Sequence, residues 1–287
     1  MIAVLKHELS SYFHSLTAYI FGAFLLAFVG IGAMIYNIQQ AVANFEYVLS
    51  FVSLIFVVLI PVLTMRVLAE ERKQKTEQLL FSLPITTTQI VIGKYLALLV
   101  VYLIPLCMIA IYPWIFAQYG EVYLLTSYGS MAAFFCMGAA LISIGVFISS
   151  LTENLGFAAG IAISVILFNY YSVSLAEHVS STAFGGVIVL CIIDGILGVI
   201  ICFLTKNEKL AYMVSFILFV ITGAVYFIKP EIFEGLLPKL MKNLSLFERF
   251  YTFVSGVFDL TSIVYYFTVI VFFLFLTVQS LEKRRYN

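Results

Sequence analysis

Residues 66–84 read RVLAEERKQKTEQLLFSLP and hold the densest run of charge in a chain of 287 residues. Long apolar runs precede and follow this stretch, which we call the charged segment. Its composition favours a helix through Gln78, and Pro84 has to end that helix because proline has no backbone N–H to donate. Glu71 and Lys75 stand four residues apart, a spacing at which opposite charges support one helix face. The sequence therefore predicts a short surface helix, charged at its start and apolar at its end.

Composition places the rest of the chain in a membrane. Hydrophobic residues make up 63% of the chain and charged residues only 10%, whereas soluble domains average about 25% charged residues. The formal net charge of +0 gives no electrostatic footprint for nucleic acid, which we do not expect as a partner. There is no G-x-x-x-x-G-K-[ST] loop for nucleotide phosphates, and the cysteines and histidines lack metal-site spacing. We expect a polytopic membrane protein that is not an enzyme and holds no metal or cofactor of its own.

Eight apolar runs are long enough to cross a bilayer, which takes about 20 residues. They cover approximately 16–36, 48–68, 89–117, 128–150, 155–173, 185–204, 210–228 and 262–281. The third run contains Pro105 and Pro113, which predict a kink or a broken end. The expected fold is all-α, with about eight transmembrane helices in a single domain over 1–287.

The distribution of lysine and arginine sets the orientation. An even number of spans puts both termini on one side of the membrane, together with the charged segment. Eleven of the fifteen basic residues then lie on that side, and those opposite are Lys229, Lys239, Lys242 and Arg249. Because basic residues are enriched in cytoplasmic loops, both termini and the charged segment are expected in the cytoplasm.

Two further elements are predicted at the membrane surfaces. Residues 2–14 alternate apolar and polar side chains at helical spacing, which is typical of an amphipathic helix lying in the interface. Residues 229–261 form the sizeable segment on the opposite side. Within it, Ser245 and Glu248 have the spacing of a capping box and Gly256 fits a C-cap. The pattern predicts a helix that lies at the outer surface or re-enters the membrane.

One ionisable residue, Asp194, lies in the middle of a predicted span. A carboxylate at that depth costs several kcal/mol unless it is neutralised or paired, so such residues are candidate functional sites. Two interpretations stay open. Asp194 is protonated and hydrogen-bonded to a neighbouring helix, or it serves a substrate or a coupling ion, as in a proton-coupled secondary transporter.

Several motifs together resemble a known family. They are Glu70-Glu71, Thr76-Glu77, Leu79-Leu80, Pro84 and Gly93-Lys94-Tyr95-Leu96-Ala97, with the opening Lys6-His7-Glu8-Leu9 and the tail from Ser245 to Arg285. They look like the signature of type-2 ABC transporter permeases, and most of all the branch that includes gliding-motility-associated and copper-processing permeases.

The resemblance implies that 69–84 is a cytoplasmic coupling helix that docks into a groove on a separate ABC ATPase subunit, where ATP and Mg are bound. The docking and coupling residues would be Glu70, Glu71, Arg72, Thr76, Glu77, Leu79, Leu80 and Pro84. The chain would then be the transmembrane subunit of an exporter in the bacterial cell (inner) membrane, paired with a second copy or a sister permease. A non-transporting subunit that relays ATPase motion to envelope partners is the alternative.

Two features depart from the family pattern. Lys75 stands where the family often has glycine before Thr-Glu, and eight predicted spans exceed the usual six.

Overall fold

The computed structural model describes residues 1–78, 84–178, 182–205, 208–228 and 233–285. The chain folds into two compact units, Met1–Tyr170 with Leu246–Asn287, and Tyr171–Ser245. The regular structure of the described residues is helical throughout, which confirms the all-α prediction. The α-helices are α1 Ile2–His14, α2 Leu16–Gly32, α3 Glu46–Ser53, α4 Phe56–Thr64, α5 Ala69–Lys73, α6 Thr87–Ile109, α7 Ile111–Phe116, α8 Leu124–Leu151, α9 Leu155–His178, α10 Ala183–Thr205, α11 Glu208–Ile228, α12 Leu236–Leu244, α13 Leu246–Val254 and α14 Leu260–Arg285.

Helix α8 lies at the centre of the first unit. It is apolar on all sides, as expected of a helix surrounded by other helices, and it packs against α3, α4, α6, α13 and α14. Two glycines allow neighbours to approach closely. A Cβ added at Gly138 would lie 2.6 Å from the Tyr102 ring of α6, and one at Gly145 would lie 2.2 Å from the Thr64 hydroxyl of α4. The surrounding helices are therefore held by packing against α8.

Within the described residues, five stretches are long and apolar enough to cross a membrane: Leu16–Gln39, in which π-helix Ala33–Gln39 extends α2, then Thr87–Phe116, α8, α9 and α14. A sixth is counted if α3 and α4 form one broken span. The chain is therefore a multi-pass membrane protein. The runs predicted at 185–204 and 210–228 form α10 and α11. Their crossing of the membrane, and hence the count of eight, stays a prediction.

The second predicted span, 48–68, is not one straight helix. Helices α3 and α4 meet at 60°. The Ser53 hydroxyl donates to the carbonyl of Ser50 at 2.7 Å and occupies the acceptor that a continuous helix would offer to Leu54. Pro61, inside α4, also leaves one carbonyl without its helical donor. The third run breaks as predicted, at Ala110 between its two prolines.

Helix α13 confirms the helix predicted before Gly256, whose φ of 80° suits glycine at the end of a helix. Its apolar face is buried: Phe247, Phe250 and Phe253. The Ser130 hydroxyl of α8 donates to the Phe253 carbonyl at 3.0 Å, and the Phe250 ring lies 5.6 Å from that of Phe134. Phe134 is roughly 15 Å along α8 from its first residue, at about 1.5 Å per residue. Helix α13 therefore dips into the helical bundle.

Candidate functional site

The charged segment forms two pieces. After α5, the Thr76 N–H donates to the Glu71 carbonyl at 3.0 Å and the Lys75 N–H donates to the Arg72 carbonyl at 3.1 Å. These two bonds are those of a Schellman motif, which ends a helix with a left-handed residue, usually glycine. Lys75 occupies that position with a φ of 60°. The prediction of one continuous helix through Gln78 is therefore wrong. The predicted pairing of Glu71 with Lys75 on one helix face is also wrong, because Glu71 pairs with Lys94.

Ser149 of α8 holds the start of α5. Its hydroxyl accepts from the backbone N–H groups of Leu68 and Ala69, both at 3.1 Å, and donates to the Met65 carbonyl at 3.1 Å. The first N–H groups of a helix have no partner inside the helix. One buried side chain of the central helix thus satisfies two of them and fixes where α5 begins.

Lys94 of α6 joins three parts of the first unit. Its side chain is 1% exposed, and its ammonium lies 2.7 Å from Glu8 of α1 and 2.6 Å from Glu71 of α5. The third donor goes to the Val67 carbonyl at 3.2 Å. All three N–H donors of the ammonium are therefore used. We call Lys94, Glu8 and Glu71 the buried triad.

Burial also acts on the Glu71 carboxyl group of the triad. The Glu71 side chain is 26% exposed. Desolvation raises the pKa of its carboxyl above the ordinary value, and the adjacent Lys94 ammonium opposes that rise. A partly desolvated carboxylate depends strongly on its cation, so Glu71 positions α5 against α1 and α6.

A cavity of about 680 Å³ lies beside the triad, between α1, the start of α2 and the charged segment. Arg66 crosses it: its guanidinium makes two hydrogen bonds to Glu70, at 2.8 and 3.0 Å, and one to the Thr17 hydroxyl at 3.0 Å. The hydrogen bond to Glu70 raises the pKa of Arg66. Glu70 also accepts from Gln74 at 3.3 Å. Because Arg66 bonds both Glu70 and Thr17, this face of α5 is linked to α2.

The other face of α5 meets the ends of α8 and α14. The Arg72 guanidinium donates to the Leu151 carbonyl at 3.2 Å and lies 3.9 Å from Glu153. Arg284, in the last turn of α14, donates to the Ser150 carbonyl and lies 3.8 Å from Glu77. Arginines at a helix C-terminus satisfy carbonyls that have no partner inside the helix. The charged segment is therefore fastened to α8 and α14 as well.

The predicted site residues fall into two groups. Glu70, Glu71, Arg72 and Thr76 are half-buried and hydrogen-bonded within the first unit, and half-buried Glu77 lies in an ion pair with Arg284, whereas Pro84 is exposed. Leu79 and Leu80 lie outside the described residues. Among the described residues of the segment, four that were not predicted as docking residues are exposed: Lys73, Gln74, Lys75 and Gln78. The role of Lys94 was also missed, although a lysine beside Gly93 at the start of an apolar run was a usable signal.

A profile described as ABC-2 family transporter protein matches residues 2–181, which include α1, the charged segment and Lys94. This range is more than half of the chain. The chain belongs to the ABC-2 family of transporter proteins. No curated protein and no solved structure matches it.

Membership of the ABC-2 family makes the chain a transmembrane subunit of an ABC transporter and not the ATPase itself, and it implies an ABC ATPase partner. The resemblance inferred from the motifs is confirmed at the level of this family. The narrower branch, with gliding-motility-associated and copper-processing permeases, stays a prediction.

Asp194 belongs to the second unit and lies on α10. The Thr222 hydroxyl of α11 donates to its Oδ2 at 3.1 Å. A hydrogen bond to a neighbouring helix is thus present, and whether Asp194 also serves a substrate or ion stays a prediction. Among the residues that the structure describes, no group of three or more His, Cys, Asp and Glu side chains is placed to hold a metal.

Proposed function

We propose that this ABC-2 transporter protein couples ATP hydrolysis by a separate nucleotide-binding subunit to the export of a substrate. ATP and Mg bind to that subunit. The observation that carries the proposal is the charged segment, which shows an exposed polar face while buried bonds fasten it to the helices beside it. A segment built in this way transmits a force applied to its exposed face.

The two groups of residues have different proposed roles: one contacts the ATPase, and the other transmits its motion to the membrane helices. Lys73, Gln74 and Gln78, together with Leu79, Leu80 and Pro84, form the proposed contact with the ATPase. The half-buried residues of the segment position it: Glu70, Glu71, Arg72, Thr76 and Glu77. Their direct partners include residues of α6, α8 and α14. Lys94 and Arg66 extend these links to α1 and α2, so motion of the segment reaches helices of the membrane domain.

The proposed orientation places both termini and the charged segment in the cytoplasm of a bacterium, with the chain in its inner membrane. Two contacts support placing both termini and the charged segment on the same side of the membrane. Glu8, near the N-terminus, and Glu71 both bind Lys94, and Arg284, near the end of α14, lies beside Glu77. Helix α1 then lies along the cytoplasmic surface of the membrane.

A second permease copy, or a sister permease, completes the proposed transporter. Gly156, Gly160 and Ser164 follow one another at four-residue spacing on α9, and both glycines are exposed. Small residues in such a row allow two helices to approach closely in a membrane. The substrate path would run between the two copies.

The proposal is tested by placing negative charge on the exposed face. A tagged chain is purified from its native membranes, and a co-purifying ABC ATPase is identified by peptides that contain its nucleotide-binding loop. We expect Lys73→Glu/Gln78→Glu to reduce the recovered ATPase and its stimulated hydrolysis about tenfold or more, a change of ~1.4 kcal/mol or more. Lys239→Glu, at an exposed lysine of α12, is the matched control and should leave both unchanged. Equal recovery with both variants would refute the docking assignment.

A further inference from the structure

A second cavity lies in the second unit, between α10 and α11. Its volume is about 590 Å³, and Asp194, Cys191 and Gly195 line it from α10. From α11 it is lined by Tyr212, Met213, Ser215, Phe216 and Phe219. Residues 212, 215, 216 and 219 share one helix face, since neighbours three and four residues apart lie together. One face of α11 is therefore turned towards this cavity.

Asp194 places a carboxyl group in this cavity. Its side chain is buried, at 8% exposure, and Thr222 supplies one hydrogen bond to one carboxylate oxygen. Among the described lining residues, Asp194 is the one with an acidic side chain, and none is basic. An ionised carboxylate among apolar groups needs a positive partner.

The other walls are aromatic and apolar. The Tyr212, Phe216 and Phe219 rings are more than half exposed in the second unit, so their surfaces are open to a ligand. Aromatic rings attract cations through their negative faces and apolar groups by burial. The described walls do not offer the six to eight oxygen ligands that Ca²⁺ takes.

We propose that this cavity is a binding site for a monovalent organic cation with an apolar body. The cationic centre pairs with Asp194, and the body packs on the rings of α11. This inference stands apart from the proposed coupling to an ATPase, because the site lies in another unit and binds without ATP.

The experiment uses two hydrophobic ions of nearly equal size and opposite charge, tetraphenylphosphonium and tetraphenylborate. Equilibrium binding of each is measured on the full chain in lipid nanodiscs, with empty nanodiscs as the reference for partitioning into lipid. We expect saturable binding of tetraphenylphosphonium and only lipid partitioning of tetraphenylborate.

The variants locate the site. Asp194→Asn should weaken tetraphenylphosphonium binding about tenfold or more, since it removes the carboxylate charge but keeps the side-chain size. Phe216→Ala should weaken binding by a smaller factor. Glu121→Gln removes one exposed carboxylate elsewhere on the chain and should have no effect.

Two results would overturn the inference. One is binding of the cation and the anion to the same extent, which identifies a groove that simply faces lipid. The other is saturable binding of the cation that is unchanged in Asp194→Asn.

Discussion

Replacing Lys94 by methionine is the most informative change to the first unit. Methionine keeps most of the apolar volume of the side chain and removes the ammonium. The Glu8 and Glu71 carboxylates, 13% and 26% exposed, are then left facing each other without a cation. Removing one partner of a buried ion pair costs about 3–5 kcal/mol. We expect the free energy of unfolding to fall by about that amount.

The measurement is equilibrium unfolding in mixed detergent micelles, followed by circular dichroism of the helices. Lys73→Met is the matched control, because Lys73 is exposed on α5 and surface substitutions usually change stability by at most about 0.5 kcal/mol. A loss in Lys94→Met no larger than in this control would refute the account of the buried triad.

A combined variant separates charge from packing. In Lys94→Met/Glu71→Gln/Glu8→Gln the two carboxylates are neutral, so no buried charge is left unpaired. Replacing all members of a buried ionic group is often close to neutral. We expect most of the lost stability to return. If the triple variant is as unstable as Lys94→Met alone, lost packing and not unpaired charge explains the effect.

Three further predictions concern single positions of the first unit. Gly138→Ala should destabilise the fold by about 1–3 kcal/mol through overpacking against Tyr102, whereas Gly129→Ala, on the same helix with nothing within 4 Å of the added Cβ, should be neutral or stabilising; thermal unfolding compares the two, and equal effects would contradict the packing argument. Lys75→Gly should keep or raise stability because glycine adopts a positive φ freely, while Lys75→Val should lose about 1–2 kcal/mol; thermal unfolding compares the two, and equal stability would contradict the left-handed conformation at this position. The raised pKa of Glu71 means that its folded form binds a proton more tightly than its unfolded form, so its contribution to stability is fully present below the ordinary value of 4.5 and is lost as the pH rises through the folded pKa. Unfolding curves of wild type and Glu71→Gln at several pH values should show this slope in wild type alone, and identical slopes would exclude it.

The long apolar runs were predictable because bilayer thickness sets their length and their composition is extreme. The positions at which helices end inside those runs could not be predicted. The 60° bend between α3 and α4 lies inside a continuous apolar run, next to a Ser53 hydroxyl that bonds the Ser50 carbonyl. Hydropathy does not show where such a run bends. The break in the third run could be predicted from its prolines, because proline has no backbone N–H to donate to the helix.

The charged segment shows that pairings between residues on different helices could not be predicted from the sequence. Helical spacing predicted a pair between Glu71 and Lys75, because only local partners are visible in a sequence. The actual partner of Glu71 is Lys94, 23 residues away, on another helix. Glu46 was missed in the same way: it is buried at the start of α3 and accepts from Ser127 of α8 at 2.9 Å. Pairings of this kind need the arrangement of helices, which composition and periodicity do not supply.

The central claim is that the exposed face of the charged segment touches the ATPase. Its most direct test places a photo-crosslinking amino acid at Lys73, and in a separate variant at Tyr123, which is exposed just before α8. After irradiation of native membranes, we expect a covalent product with an ABC ATPase from position 73 and none from position 123. A crosslink to the ATPase from position 123, with none from position 73, would contradict the account.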